Sequence, residues 1–159
     1  MNASPRRVNR QLDNYGEPMD SRPILLVEDN EDDILLTQRA FRKVGITNEL
    51  VVARDGVEAL EYLYDGRFGT SLPALILLDI KLPKIDGIEI LKRLRANSRT
   101  KIARVVMLTS SREEKDIHRC ADLGANSFIR KPVDFDEFLK ALQTISSYWL
   151  QLDETITNS

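Results

Sequence analysis

The chain has 159 residues, a formal net charge of −2 and 42% hydrophobic residues. That length suits one domain with tails, and about 70% of the unfolded surface is buried at this size, so no disulfide or metal staple is needed to hold the core. The slightly acidic balance argues against a general nucleic-acid-binding surface, the single cysteine, Cys120, excludes an intramolecular disulfide and suits a reducing compartment, and no apolar run approaches the roughly 20 residues of a membrane span.

Residues 1–22 are polar and aperiodic, carry Pro5, Gly16 and Pro18, and read as a flexible tail. Arg6, Arg7 and Arg10 are followed by no apolar stretch, so no secretory signal is expected and the expected location is cytoplasmic. A single domain is expected over 23–152, with 153–159 as a frayed C-terminal tail. The run ILLV (24–27) is short and continuously apolar, as in a strand buried on both faces of a parallel sheet. It ends in Glu28-Asp29. Asn30, with Asp33 three residues on, then opens a helix whose stripe is Leu36, Ala40, Phe41 and Val44, closed by Gly45. LVVA (50–53) is a weaker second strand. Asp55 and Glu58 open the next helix, with Val57, Leu60 and Leu63 as its stripe. ALILL (74–78) runs into Asp79, and Asp86 and Glu89 open a helix striped by Ile88, Leu91 and Leu94. VVML (105–108) runs into Thr109. Ser111 and Glu114 open a fourth helix lined by Ile117, Cys120 and Ala121 and ended by Gly124. SFIR (127–130) runs into Lys131-Pro132, and Asp134 and Glu137 open a last helix with Phe138, Leu142, Ile145 and Trp149 on one line.

Five strand–helix units in alternation predict an α/β, doubly wound (βα)5 parallel sheet. Right-handed crossovers place helices on both faces, and the common strand order is 2-1-3-4-5. Ligands in such sheets bind outside the carboxyl ends of the strands. Glu28, Asp29, Asp79, Thr109 and Lys131 all stand at such ends. Asp79 follows five apolar residues, and LPK with Pro83 after it starts no helix, so it reads as a carboxylate nucleophile for phosphorus rather than a cap. Three neighbouring carboxylates repel unless a cation sits among them. Mg²⁺, which takes oxygen ligands, is the expected ion, with Asp29, Asp79 and the Lys81 main-chain carbonyl as direct ligands and Glu28 acting through water. The Thr109 hydroxyl can donate to a phosphoryl oxygen, and the Lys131 ammonium can pair first with Asp79 and then with the phosphoryl group. A cis bond at Pro132 would turn that lysine inward. Phe128 is either core or a mobile aromatic that responds to the site. His118 reads as surface, and Lys81, Lys84, Lys92 and Arg93 as solvated charge.

VEDN (27–30), LLDIKLPKIDG (77–87), MLTSS (107–111) and IRKP (129–132) resemble, in order and spacing, the receiver domain of two-component response regulators. The resemblance implies a flavodoxin-like fold, phosphorylation of Asp79 by a sensor histidine kinase, and Mg²⁺ on Glu28, Asp29, Asp79 and the Lys81 carbonyl. It also implies Thr109 and Lys131 as the switch pair, with Phe128 as the switch aromatic. The loop YDGRFGTSLP (64–73) and the terminal SSYWLQLDE (146–154) resemble stand-alone regulators paired with bacterial phytochrome kinases, which sense light through a bilin that this chain would not itself bind.

Nine residues follow Leu150, too few for a DNA-binding or enzymatic output domain, so signalling by contact with an unknown downstream protein is expected. Leu139, Tyr148, Leu150 and Leu152 fall partly off the Phe138–Trp149 line and predict a homodimer through the fourth and fifth helices and the C-terminal tail, with Leu139, Tyr148, Trp149 and Leu150 at its interface. Three other functions compete, one of them a non-signalling interaction scaffold of receiver fold, which the full acidic set with Thr109 and Lys131 argues against. A phosphorelay intermediate would pass the phosphoryl group to another histidine. A small-molecule phosphatase with an aspartate nucleophile would require a second carboxylate where Lys81 stands.

Overall fold

The computed structural model describes residues 21–65, 72–110, 114–131 and 134–150. Its sheet consists of β1 (Ile24–Val27), β2 (Leu50–Ala53), β3 (Leu75–Asp79), β4 (Val105–Thr109) and β5 (Ser127–Arg130), all parallel, in the order β2-β1-β3-β4-β5. Helices α1 (Glu31–Val44), α2 (Gly56–Tyr64), α3 (Gly87–Ala96), α4 (Glu114–Asp122) and α5 (Phe135–Ile145) alternate with the strands, and a π turn, Ser146–Leu150, extends α5. The expected fold class and strand order are those observed.

The period of two along a strand divides the core into two layers. Leu25, Val27, Ile76, Leu78, Val105 and Met107 face a layer completed by α2, α3 and α4. Ile24, Leu26, Leu75, Leu77, Val106 and Leu108 face the opposite layer, with Ile34, Ala40 and Phe41 of α1 and Phe138, Leu142 and Ile145 of α5. Both faces of the sheet are covered, which is why β1, β3 and β4 are continuous apolar runs. Full burial of each such side chain contributes about 1.5–3 kcal/mol.

The helix openings follow the capping logic of the sequence. Asn30, Asp55, Asp86 and Asp134 each accept the amide proton of the residue three positions on. Gly45 closes α1 at φ 82°, a left-handed conformation that a residue without Cβ adopts freely. The expected cap at Ser111 and the geometry at Pro132 lie outside the described residues.

Two stripes differ from expectation. In α2 the buried residues are Gly56, Ala59 and Leu63, with Leu60 half-buried, whereas Val57 is exposed. The inward face is therefore turned by one position, because small Gly56 and Ala59 allow the helix to approach closely. In α4, Cys120 is buried and Ile117 half-buried, but Ala121 is exposed. That helix meets the sheet along a narrower line than its apolar residues suggest. Burial, ahead of the neighbouring Asp116 charge, pushes the Cys120 thiol up to about 11, so it remains a protonated core residue. Arg22, placed in the tail by the sequence, donates to the Leu72 carbonyl, and its own carbonyl accepts from Asn48 Nδ2.

Candidate functional site

The carboxyl ends of β1, β3, β4 and β5 bring the predicted polar residues to one edge of the sheet. Glu28 leaves β1 buried, at 1% exposure, and Asp79 ends β3 at 4%. Carboxylate oxygens of Glu28, Asp29 and Asp79 lie within 4.8 Å of one another. Lys131, just past β5, sends its ammonium among them. Its Nζ donates to Glu28 Oε1 at 2.8 Å and Asp79 Oδ2 at 3.2 Å, and forms an ion pair with Asp33 Oδ2 at 2.9 Å. An ammonium has three donor protons, and here three carboxylates meet it.

Electrostatics follow from that crowding. Burial, ahead of the Asp79 charge, pushes the Glu28 carboxyl up to about 7 even though Lys131 opposes the shift. Burial alone would lower the Lys131 ammonium, but hydrogen bonds to Glu28 and Asp33, with the Asp79 charge, hold it above the usual lysine range. Three carboxylates thus share one ammonium, and a fourth, Asp29, stands beside Glu28 and Asp79. An all-oxygen donor set with surplus negative charge fits a hard divalent cation.

Local backbone geometry fixes these groups. The Lys81 amide donates to Asp79 Oδ1 at 3.3 Å, which places that peptide beside the carboxylate. Gly87 opens α3 against the end of β3: its amide donates to the Ile80 carbonyl at 2.9 Å, and a Cβ there would stand 2.1 Å from the Asp79 carbonyl oxygen. Only glycine permits that approach. The Lys131 amide donates to the Thr109 carbonyl at 2.6 Å and ties the lysine to the end of β4.

Thr109, buried at 1% exposure, is in step with Met107, and Met107 pairs in register with Phe128. Phe128 is half-buried and packs against the α2–α3–α4 layer. Glu28, Asp79 and Lys131 are in step with Leu26, Leu77 and Ile129 of the opposite layer. The predicted set is therefore brought to one sheet edge but from two faces. The proposed interface residues are remote from it. Arg104, just before β4, donates to the Trp149 carbonyl, which places the π turn at the other edge of the sheet. Leu139 and Trp149 pack partly against their own α1–α5 layer, Tyr148 is exposed, and the Leu150 side chain lies outside the described residues.

Sequence reasoning missed Asp33 as a member of the site and took it only as a first-turn acid. The available signal was position: the first turn of α1 stands directly beyond the end of β1. Lys84 is largely exposed, as expected of solvated charge, and also pairs with Asp55 at 3.2 Å.

A doubly wound sheet with acids, a hydroxyl and a lysine at its carboxyl edge defines a phosphoacceptor of the two-component type. The family described as response regulator receiver domain matches residues 24–143, and the chain belongs to it. Response regulator Rcp1 of Synechocystis sp. is 39% identical over 136 residues, covering 84% of this chain and 90% of that protein. A Mn(2+)-bound structure of Rcp1 matches at TM-score 0.71, 38% identity, and 81% and 94% coverage. The bacteriophytochrome response regulator AtBRR is 51% identical at TM-score 0.67, over 80% of this chain and 94% of that one. The phosphorylated cyanobacterial phytochrome response regulator RcpA is 39% identical at TM-score 0.73, over 81% and 94%. Receiver domains accept phosphoryl groups and bind a divalent metal. Among the described residues, no helix is long and apolar enough to cross a membrane.

Proposed function

We propose that Asp79 is the phosphoryl acceptor of a cytoplasmic receiver spanning 23–152, charged by a sensor histidine kinase of the bacterial phytochrome kind, with Mg²⁺ as its ion. One observation carries the assignment: the Asp79 carboxylate is buried, ends a central strand, and lies within reach of two further carboxylates and of the Lys131 ammonium. The kinship with phytochrome response regulators supports the choice of kinase.

An Asp79 carboxylate oxygen attacks phosphorus, the phosphorus–nitrogen bond of the kinase phosphohistidine breaks, and the imidazole leaves with that electron pair. Asp29, Asp79 and the Lys81 carbonyl would hold Mg²⁺ directly and Glu28 through water, and the ion would offset charge on the transferred group. Lys131, already 3.2 Å from Asp79, needs only a short movement to pair with the new phosphoryl oxygens. Thr109 supplies a hydroxyl from the neighbouring strand. Its movement toward the phosphoryl group would open space for Phe128 and remodel the surface of α4 and α5. Such a shift requires the phosphoryl group to interact differently with the two states.

The test is incubation of the pure protein with acetyl phosphate, followed by intact mass over time. A single adduct that forms with Mg²⁺ and not without it is expected. Absence of any adduct on folded protein would overturn the acceptor reading.

Output is a protein–protein contact, and we place a homodimer on α4, α5 and the C-terminal tail. Tyr148, at 64% exposure and edge-on to Trp149 with 5.8 Å between ring centroids, is the apolar group that supports it. Sedimentation of full-length protein should give a dimer, and a chain ending before Tyr148 should give a monomer. A dimer that survives the truncation unchanged would remove the tail from the interface.

A further inference from the structure

The loop that leaves β3 and reaches α3, residues 80–86, is fastened to the opening of α2 by contacts that phosphoryl transfer does not use. Lys84 Nζ lies 3.2 Å from Asp55 Oδ2, and the Asp55 side chain is only 13% exposed. The other oxygen of the same carboxylate caps α2 by accepting from the Glu58 amide at 2.8 Å. One side chain therefore joins loop to helix. Beside it, the Gly56 amide donates to the Pro83 carbonyl at 3.4 Å, and a Cβ on Gly56 would stand 2.2 Å from the Ile85 carbonyl oxygen. The two backbones touch where only glycine fits.

Lys84 itself has φ 72°. A residue with a Cβ pays a conformational penalty in that left-handed region and stays there only when its surroundings determine it. The attachment of its ammonium to Asp55 is such a determinant. The Glu58 amide, and then Lys84, hold the Asp55 carboxyl below its ordinary range, so it remains a charged partner.

The same loop carries Lys81, whose amide donates to Asp79 Oδ1. Its ends are closed by the Ile80 amide on the Leu108 carbonyl and the Gly87 amide on the Ile80 carbonyl. Between those ends, the Asp55–Lys84 pair and the Gly56 contact tie the loop sideways to α2. We infer that Asp55 and Lys84 are positioning residues for the metal site: their pairing holds the 80–86 loop against α2, fixes the Lys81 backbone whose amide meets Asp79, and so sets divalent-cation affinity. The inference rests on the reading of Asp29, Asp79 and the Lys81 carbonyl as ligands.

The test titrates Mn²⁺ into full-length protein and reads free Mn²⁺ by electron paramagnetic resonance. Asp55→Asn keeps an oxygen for the helix cap and loses the charge. Lys84→Ala loses the ammonium but keeps a Cβ at the same φ, and Lys84→Arg restores a cation. Asp55→Asn and Lys84→Ala should each weaken Mn²⁺ binding by about threefold, within the range of an ion pair with one exposed partner, and Lys84→Arg should recover the loss. Metal-free melting of Lys84→Ala separates the alternatives, since a purely structural tie would lower it and leave Mn²⁺ affinity alone. Wild-type affinity in Asp55→Asn and Lys84→Ala, with Asp29→Asn weakened tenfold or more, would overturn the positioning role and leave the site reading intact. Wild-type affinity in Asp29→Asn would overturn the site reading and the inference with it.

Discussion

Asp79→Asn is expected to abolish the phosphoryl adduct, with at least a thousandfold loss in the rate of labelling by acetyl phosphate and Mg²⁺. A thousandfold corresponds to about 4 kcal/mol of lost transition-state stabilisation. An amide oxygen is a poor nucleophile and carries no charge for a cation or for Lys131. The fold should tolerate the change. Asparagine has nearly the volume of aspartate, its side-chain oxygen can still accept from the Lys81 amide, and Lys131 keeps Glu28 and Asp33. Far-ultraviolet circular dichroism and melting would verify the fold before intact mass is read. An adduct forming on the variant at the wild-type rate would place the acceptor on another residue.

Lys131→Met should lower metal-free stability at pH 7.5 by about 3 kcal/mol, the scale of a partly buried pair that loses one partner. The ammonium is 17% exposed, and Glu28, its 2.8 Å partner, is 1% exposed. Without it, Glu28, Asp33 and Asp79 face one another uncompensated. The pH dependence has a definite sign. The folded Glu28 carboxyl already titrates near 7, above its ordinary value of 4.5, so the folded state binds its proton more tightly than the unfolded chain. Stability from that difference is fully present below the unfolded value and is lost as pH rises through about 7. Loss of Lys131 removes a group that favours the charged form, so the variant's deficit should be small at pH 5 and grow toward pH 7.5. Millimolar Mg²⁺ should restore part of it at pH 7.5, because a bound cation replaces the missing charge. Thermal melts at the two pH values, with and without Mg²⁺, measure all three effects. An equal deficit at both values would mean that the lysine acts through packing of its stem rather than its charge.

Much of the site could be read from order alone. Glu28, Asp29, Asp79 and Thr109 stand at the ends of continuous apolar runs, Lys131 follows the mixed run SFIR, and in a parallel sheet the ends of such runs share one edge. The caps at Asn30, Asp55, Asp86 and Asp134 were legible because each is a local hydrogen bond over three residues. Asp33 was not legible as a partner of Lys131, since ninety-eight positions separate them and only the packing of α1 over the end of β1 makes them neighbours. Val57 and Ala121 were misplaced because periodicity finds an apolar stripe but not which of two adjacent lines faces the sheet. In α2 the deciding residues are small, and Gly56 against Ile85 carries no hydropathy signal.

The sequence by itself determined the five strand–helix units, their parallel sheet and the chemical types gathered at its carboxyl edge, because capping, periodicity and apolar runs act over a few residues. Only the tertiary structure decided that one ammonium serves three carboxylates, that Thr109 and Phe128 belong to one face while Asp79 and Lys131 belong to the other, and that Lys84 is fastened to Asp55. Those outcomes depend on strand register and on distances between elements far apart in the chain, which no pattern over a few residues encodes.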